Sequence, residues 1–140
     1  MDKTGNVVVN TSTIYNEDSY NIIKDVFQNG LSVSPYVNLN RVKNRSALEI
    51  TTICGTTVDG ILLNEGIASQ PVYGGLLKIE DYAPVEFKEL ISYKKTSITP
   101  LDAFIAPGMT SVLDIINEGT GYIPANFRLI PSVGREKTVK

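Results

Sequence analysis

The chain has no histidine. That absence removes every mechanism that needs an imidazole of its own, including Ser-His-Asp and Cys-His catalysis and histidine-ligated zinc. An enzyme built from this sequence would have to work with carboxylates, lysines or tyrosines. Cysteine is nearly as scarce: Cys54 stands alone and cannot form an internal disulfide. Neither a signal peptide nor a long apolar run is present, which leaves no candidate membrane helix and points to the cytoplasm. Positive charge is in deficit as well. Lys plus Arg number 13 against 15 Asp plus Glu, a net charge of −2, so this chain by itself is a poor binder of nucleic acid. No phosphate-binding loop occurs either: Gly74-Gly75 opens no Gly-x-Gly-x-x-Gly run, and Gly55 and Gly60 lack the lysine that a Walker-type loop requires. Repeats and low-complexity tracts are absent.

What is there is an ordinary globular composition. Hydrophobic residues make up 42% and charged residues 20% of 140 positions, a length that suits one domain with one core. The two ends, Met1 to Gly5 and Arg135 to Lys140, carry no domain-ending signal, which suggests a segment of a longer protein. Asn6 to Ile14 opens with three valines and continues with Thr11 and Thr13, a β-branched strand pattern. Asn16 can cap a helix whose first turn holds the acids Glu17 and Asp18. Tyr20, Ile23, Val26 and Phe27 give it an apolar face that should pack on the first sheet, and Gly30 supplies its left-handed stop. From Ser34-Pro35 to Ser46 the chain is polar. Arg41, Lys43 and Arg45, interspersed with Asn38, Asn40 and Asn44, read as a solvated loop surface.

Ala47 to Cys54 is a second strand, its end buried on both sides where Ile53 and Cys54 break the alternation. Thr56 or Thr57 can cap a short helix that runs to Gly66, with Gly60 costing about 1 kcal/mol inside it relative to alanine. Residues 73–80 and 85–93 form a hairpin across Asp81-Tyr82-Ala83-Pro84. Thr99-Pro100-Leu101-Asp102 is a strong helix start, with a capping hydroxyl, a proline and a carboxylate; Leu101, Phe104 and Ile105 should face inward before Pro107-Gly108. A further helix follows from Thr110-Ser111 to Gly119, and a last strand from Tyr122 to Ile130 ends at Pro131. Intermingled strands and helices predict an α/β (α+β) domain, a mixed sheet with an antiparallel hairpin and about four helices packed on it.

Three places could carry chemistry. Cys54 ends a strand just before a helix N-terminus, where a thiol pKa falls; a buried small residue or a ligand-lining thiol are the other readings. The hydroxyl pairs Thr56-Thr57 and Thr110-Ser111 sit at helix starts, where unpaired amides and a partial positive charge attract anions. Arg128 could meet a carboxylate with two parallel hydrogen bonds. The alternative is that the hydroxyls only cap their helices and Arg128 pairs with a surface acid. Acid pairs for an enzyme, Asp59 with Glu65 or Asp102 with Asp114, are better explained as helix-end or surface residues.

The order and spacing of several segments resemble a known family. They are Thr51-Thr52-Ile53-Cys54-Gly55-Thr56-Thr57-Val58-Asp59-Gly60 through Ile67, Tyr73-Gly74-Gly75, Thr99 to Ile105, Gly108-Met109-Thr110-Ser111-Val112, and Ala125-Asn126-Phe127-Arg128-Leu129-Ile130-Pro131. Together they resemble the effector-sensing regulatory domain of the archaeal NrpR nitrogen repressors. The resemblance implies a sensor, not an enzyme, with no cofactor: it binds 2-oxoglutarate, the carbon skeleton for ammonia assimilation, and this relieves repression. It also implies a homodimer that meets operator DNA only through a winged helix absent from this chain. The family cysteine falls on Cys54, and Thr110-Ser111 and Asn126-Arg128 map directly. A dianion of this size wants two donor clusters, helix amides at one end and Arg128 at the other, and on that physical argument the candidate ligand set is Cys54, Thr56, Thr57, Thr110, Ser111, Asn126 and Arg128. The alternative is a ligand-free dimerisation scaffold. With no histidine, a carboxylate ligand would be held by amides, hydroxyls and arginine, whose charge states do not change between roughly pH 6 and 8.

Overall fold

Six strands and five helices follow one another in a computed structural model that describes residues 5–16, 18–43 and 45–138. The expectations placed on Glu17, on Asn44 and on the extreme ends lie outside the described residues. Contacts divide the chain into two compact units, one up to Ile61 and one from Leu62 onward. Each has its own three-stranded sheet. The expected α/β class holds, while the expected single mixed sheet is replaced by two sheets that are antiparallel throughout.

In the first unit, β1 (Val9–Ile14) and β2 (Val37–Arg41) flank β3 (Leu48–Ile53). The register runs Val9↔Ile53 to Ile14↔Leu48 on one side and Val37↔Thr52 to Arg41↔Leu48 on the other. β3 is central, and beyond the buried Leu48 both of its faces are half-buried, in keeping with the expected loss of alternation at its end. β2 occupies the stretch that reads as a polar loop. Asparagine is depleted in strands, and Asn38 and Asn40 disguise the alternation of Val37 and Leu39, yet both asparagines point to the exposed side. The helix α1 (Ser19–Gln28) starts after Asp18 without a side-chain cap; Asn16 Oδ1 accepts the Asp18 N–H at 2.9 Å instead. α1 buries none of its residues. Its apolar side shares a cleft with β2 in place of a close packing on the sheet. The buried apolar residues of this unit, among those described, are Ala47 and Leu48.

α2 (Thr56–Asn64) begins where expected and ends in a Schellman motif. Ile67 N–H reaches Leu62 O at 2.8 Å and Gly66 N–H reaches Leu63 O at 2.9 Å, with Gly66 at φ +76° and both Leu62 and Ile67 buried. Only glycine takes that φ without strain.

In the second unit, β4 (Gln70–Glu80) is the central strand, with β5 (Ala83–Ser92) on one side and β6 (Gly121–Leu129) on the other. The hairpin is present, but its turn is two residues long. Asp81 and Tyr82 both have positive φ, +50° and +61°, as a type I′ turn requires. Tyr82 is held there by its N–H to Gly119 O at 2.9 Å, and its ring lies so close over Gly119 that an added Cβ would meet it at 2.8 Å.

α3 (Asp102–Ile105) is shorter than its start signal predicts. Thr99 offers its carbonyl to Ala103 N–H at 3.3 Å, and Pro100 is buried against Gly74, where a Cβ would come within 2.6 Å of the proline. Phe104 faces the core as expected, whereas Ile105 is half-exposed. α4 (Val112–Glu118) stops at Gly119 in the left-handed region. A 3-10 turn at Ser132–Gly134 and α5 (Arg135–Thr138) follow β6 where no element is expected. Leu62, Ile67, Leu76, Ile79, Phe104 and Ile115 form the buried core of this unit.

Candidate functional site

The seven sequence-predicted residues fall into two groups that belong to different units. Cys54, Thr56 and Thr57 lie in the first, and Thr110, Ser111, Asn126 and Arg128 lie in the second.

In the first group the chain leaves β3 and turns directly into α2. Cys54 N–H donates to Val8 O at 2.9 Å, which carries the β1 pairing past the last strand residue. The Thr57 hydroxyl accepts Val8 N–H at 3.1 Å and donates to Val8 O at 3.0 Å, so it grips the backbone of one residue from both sides. The Thr56 hydroxyl donates to the half-buried Cys54 sulfur at 3.1 Å. Two amides at this helix start are also engaged: Thr57 N–H with Cys54 O and Val58 N–H with Gly55 O. Asp59 stands in the first turn and offsets part of the positive end of the helix dipole. The helix start is thus closed largely by its own chain, and Thr57 has a structural task.

Ser111 likewise has a structural task. Its N–H donates to Tyr122 O at 2.9 Å and its hydroxyl accepts Tyr122 N–H at 3.0 Å, clamping the segment before α4 onto the start of β6. Gly121 beside it is fully enclosed, since a Cβ there would lie 2.7 Å from both the carbonyl and the hydroxyl oxygen of Ser111. Thr110 is half-buried next to this clamp.

Asn126 and Arg128 lie further along β6. Residues two apart on a strand share a face, so these side chains emerge on the same side of the sheet, about 7 Å apart. Ser111, anchored at Tyr122, is separated from Arg128 by six strand residues, about 20 Å. The structure therefore brings Asn126 and Arg128 together and keeps the Ser111 hydroxyl away from them.

Asn126 has a partner that sequence reasoning missed. Tyr93, immediately after β5, donates its phenolic O–H to Asn126 Oδ1 across 33 positions of sequence. This hydrogen bond fixes the amide and directs its Nδ2 hydrogens away from the tyrosine, ready to donate. Tyr93 N–H is itself held by Val72 O at 3.0 Å. The ring also lines an open cleft of about 320 Å³ with Thr96, Ser97, Thr99 and Pro100 among its walls. Asn126, its amide oriented by Tyr93, and Arg128 put an amide donor and a planar cation on one face of β6, a pair of groups whose chemistry suits a carboxylate. No local motif marks Tyr93; as the last residue of a predicted strand it gives no sign of its use.

Of the acids considered for catalysis, Glu65 is exposed just past the end of α2, while Asp59, Asp102 and Asp114 stand in the first turns of α2, α3 and α4. That is where a carboxylate favours the helix dipole. Strand residues Lys78, half-buried on β4, and Glu86, exposed on β5, have displaced pKa values. The Glu80 carboxylate beside Lys78 raises the ammonium above its usual value, and the Lys88 ammonium beside Glu86 lowers that carboxyl below the usual range. Neither belongs to the Tyr93 group.

A family model for the NrpR regulatory domains NRD1 and 2 matches residues 1–140. The global nitrogen regulator NrpR of Methanococcus maripaludis is 42% identical over 134 residues, which are 93% of this chain and 24% of that protein. The NrpR of Methanocaldococcus jannaschii is 46% identical over 126 residues, 89% of this chain and 23% of that protein. The global nitrogen regulator NrpRI of Methanosarcina mazei is 39% identical, covering 97% of this chain and 45% of its own length. The chain thus spans about a quarter of the length of the first two relatives. A crystal structure of a nitrogen repressor-like protein from Methanococcus jannaschii has the same fold, with a TM-score of 0.76 and 30% identity, over 95% of this chain and 56% of that one.

Proposed function

The chain belongs to the family of NrpR regulatory domains, and from that premise we propose that it is the ligand-sensing part of a repressor of nitrogen-assimilation genes, with 2-oxoglutarate as its effector. What carries this reading is the family match along the whole chain, joined to relatives that are named global nitrogen regulators. In this reading one carboxylate of the effector rests on the Arg128 guanidinium and on the amide of Asn126, which Tyr93 holds on the same face of β6. The hydroxyls of Thr57 and Ser111 keep the fold and contribute no ligand contact in this reading, because both are engaged with backbone. The Cys54 thiol and Thr56 hydroxyl at the start of α2 are a separate place to test.

In the parent repressor this module biases a two-state equilibrium. 2-oxoglutarate binds the non-repressing state more tightly, by an amount on the order of 1–3 kcal/mol if the coupling is of ordinary size. DNA contact belongs to another part of the repressor, consistent with the acidic balance of this chain. The module works as a homodimer and acts without a cofactor. Calorimetric titration of the folded chain with 2-oxoglutarate, glutamate and succinate tests the proposal. Saturable heat with 2-oxoglutarate and little with the other two is the expected outcome; no heat with any of them leaves a dimerisation scaffold as the better account.

A further inference from the structure

The helix α1 is amphipathic, yet none of its residues is buried, and Tyr20 is 48% exposed. Between it and β2 lies a cleft of about 390 Å³, within the usual range for small-molecule sites. Its walls are apolar: Phe27 on the helix, and Pro35, Val37 and Leu39 on the strand side. Three polar groups line the same space from the helix, and their positions are spaced so that they form one stripe. Tyr20, Lys24 and Gln28 are four residues apart and stand above one another on one face. None of the three makes a side-chain hydrogen bond or ion pair with the described residues.

A lysine that lines an apolar cleft with no carboxylate partner among the described residues is suited to a ligand that brings one negative charge. A second carboxylate would have to lie against Val37 and Leu39 with no cation to meet it, at a desolvation cost that nothing there offsets. Phosphate and other compact anions would leave the apolar wall unused. We propose that this cleft binds a small monocarboxylate with an aromatic or branched apolar body. The carboxylate rests on Lys24 with Gln28 and Tyr20 as further donors, and the body covers Phe27, Val37 and Leu39. The site lies on different residues from the Tyr93, Asn126 and Arg128 group and does not depend on the effector reading.

Chemical-shift mapping of the isotope-labelled full chain tests it, with 3-phenylpropionate as the probe. Its neutral amide removes the charge, and glutarate adds a second carboxylate. The expected result is a saturable shift of amides over residues 20–28 and 35–39, weaker by at least about tenfold for the amide and for Lys24→Met, and retained in Lys24→Arg. Saturating 2-oxoglutarate leaves these shifts in place. Equal affinity for acid and amide, shifts that map elsewhere, or no saturable shift in the millimolar range would each overturn the proposal. Because Lys24 and Gln28 are exposed helix positions that support no core contact, the variants test binding and not folding.

Discussion

The hydroxyl of Thr57 exchanges two hydrogen bonds with the backbone of Val8, and that of Ser111 takes one from Tyr122. From sequence both look like helix caps with room for an anion, since a threonine or serine before a helix is the usual signal for either use. Which use applies depends on a strand 49 positions away in one case and 11 in the other, and no local pattern carries that information. Thr57→Val keeps the shape and removes both bonds. Urea unfolding should show a loss of about 1–2 kcal/mol in that variant; an unchanged midpoint would mean that Val8 is not held through this side chain. Gly75 makes a sharper case, because an added Cβ would lie 2.6 Å from Phe87 Cδ1 and 2.7 Å from the carbonyl oxygen of Glu89. One of those atoms is backbone and cannot yield cheaply, so Gly75→Ala should lower stability by about 1–3 kcal/mol. Wild-type stability in that variant would contradict the tight β4–β5 approach.

Helix ends were the most legible elements, and the reason is stereochemical. Gly30, Gly66 and Gly119 all take the left-handed conformation at or just after a helix end, as their positions in the pattern imply. Element lengths were less legible. Thr99 to Asp102 has every mark of a helix start, yet the helix it opens is four residues long, with Pro100 packed over Gly74 before it and Pro107-Gly108 soon after it. β2 was hidden because three of its five residues are asparagine or arginine; pairing with β3 outweighs their weak strand preference. The β4–β5 hairpin was visible, but its turn was not, since Asp81 and Tyr82 carry none of the usual glycine signature and Tyr82 is held by its contacts with Gly119. On the same hairpin the Lys88 ammonium holds the Glu86 carboxyl below its usual pKa by a hydrogen bond and by charge. This pair favours the folded chain at pH above the ordinary carboxylate range, and the contribution is lost as pH falls through the lowered pKa. A carboxyl-detected NMR titration should place Glu86 below an ordinary glutamate. About 1 M salt should move it back toward that value, because the pair is exposed and readily screened.

At the scale of the molecule, length suggested one core, whereas the chain builds two sheets in two compact units. Among the described residues the buried apolar side chains are unevenly shared, with Ala47 and Leu48 in the first unit and Leu62, Ile67, Leu76, Ile79, Pro100, Phe104 and Ile115 in the second. The second sheet also leaves apolar surface uncovered. Tyr73 and Phe127 pair across β4 and β6 with Phe87 against them, and Leu90 and Leu129 are about half-exposed nearby. Exposed aromatic clusters of this kind are frequent interface cores, which makes this face the one to test as the interface of the proposed homodimer. Sedimentation of Phe127→Glu should then show a folded monomer, while an undisturbed dimer would place the interface elsewhere.

The site itself was legible in part. Arg128 could be singled out by its chemistry and Asn126 by resemblance, but Tyr93, which orients that amide, becomes visible only when β5 and β6 are both laid against β4. The proposed function puts a carboxylate of 2-oxoglutarate at this end of the sheet. Amide and side-chain chemical shifts of the labelled chain, followed as 2-oxoglutarate is added, are the decisive test. Saturable shifts at Tyr93, Asn126 and Arg128 that disappear in Arg128→Ala are expected. Saturable binding that leaves these three residues unmoved, or that survives Arg128→Ala unchanged, would contradict it.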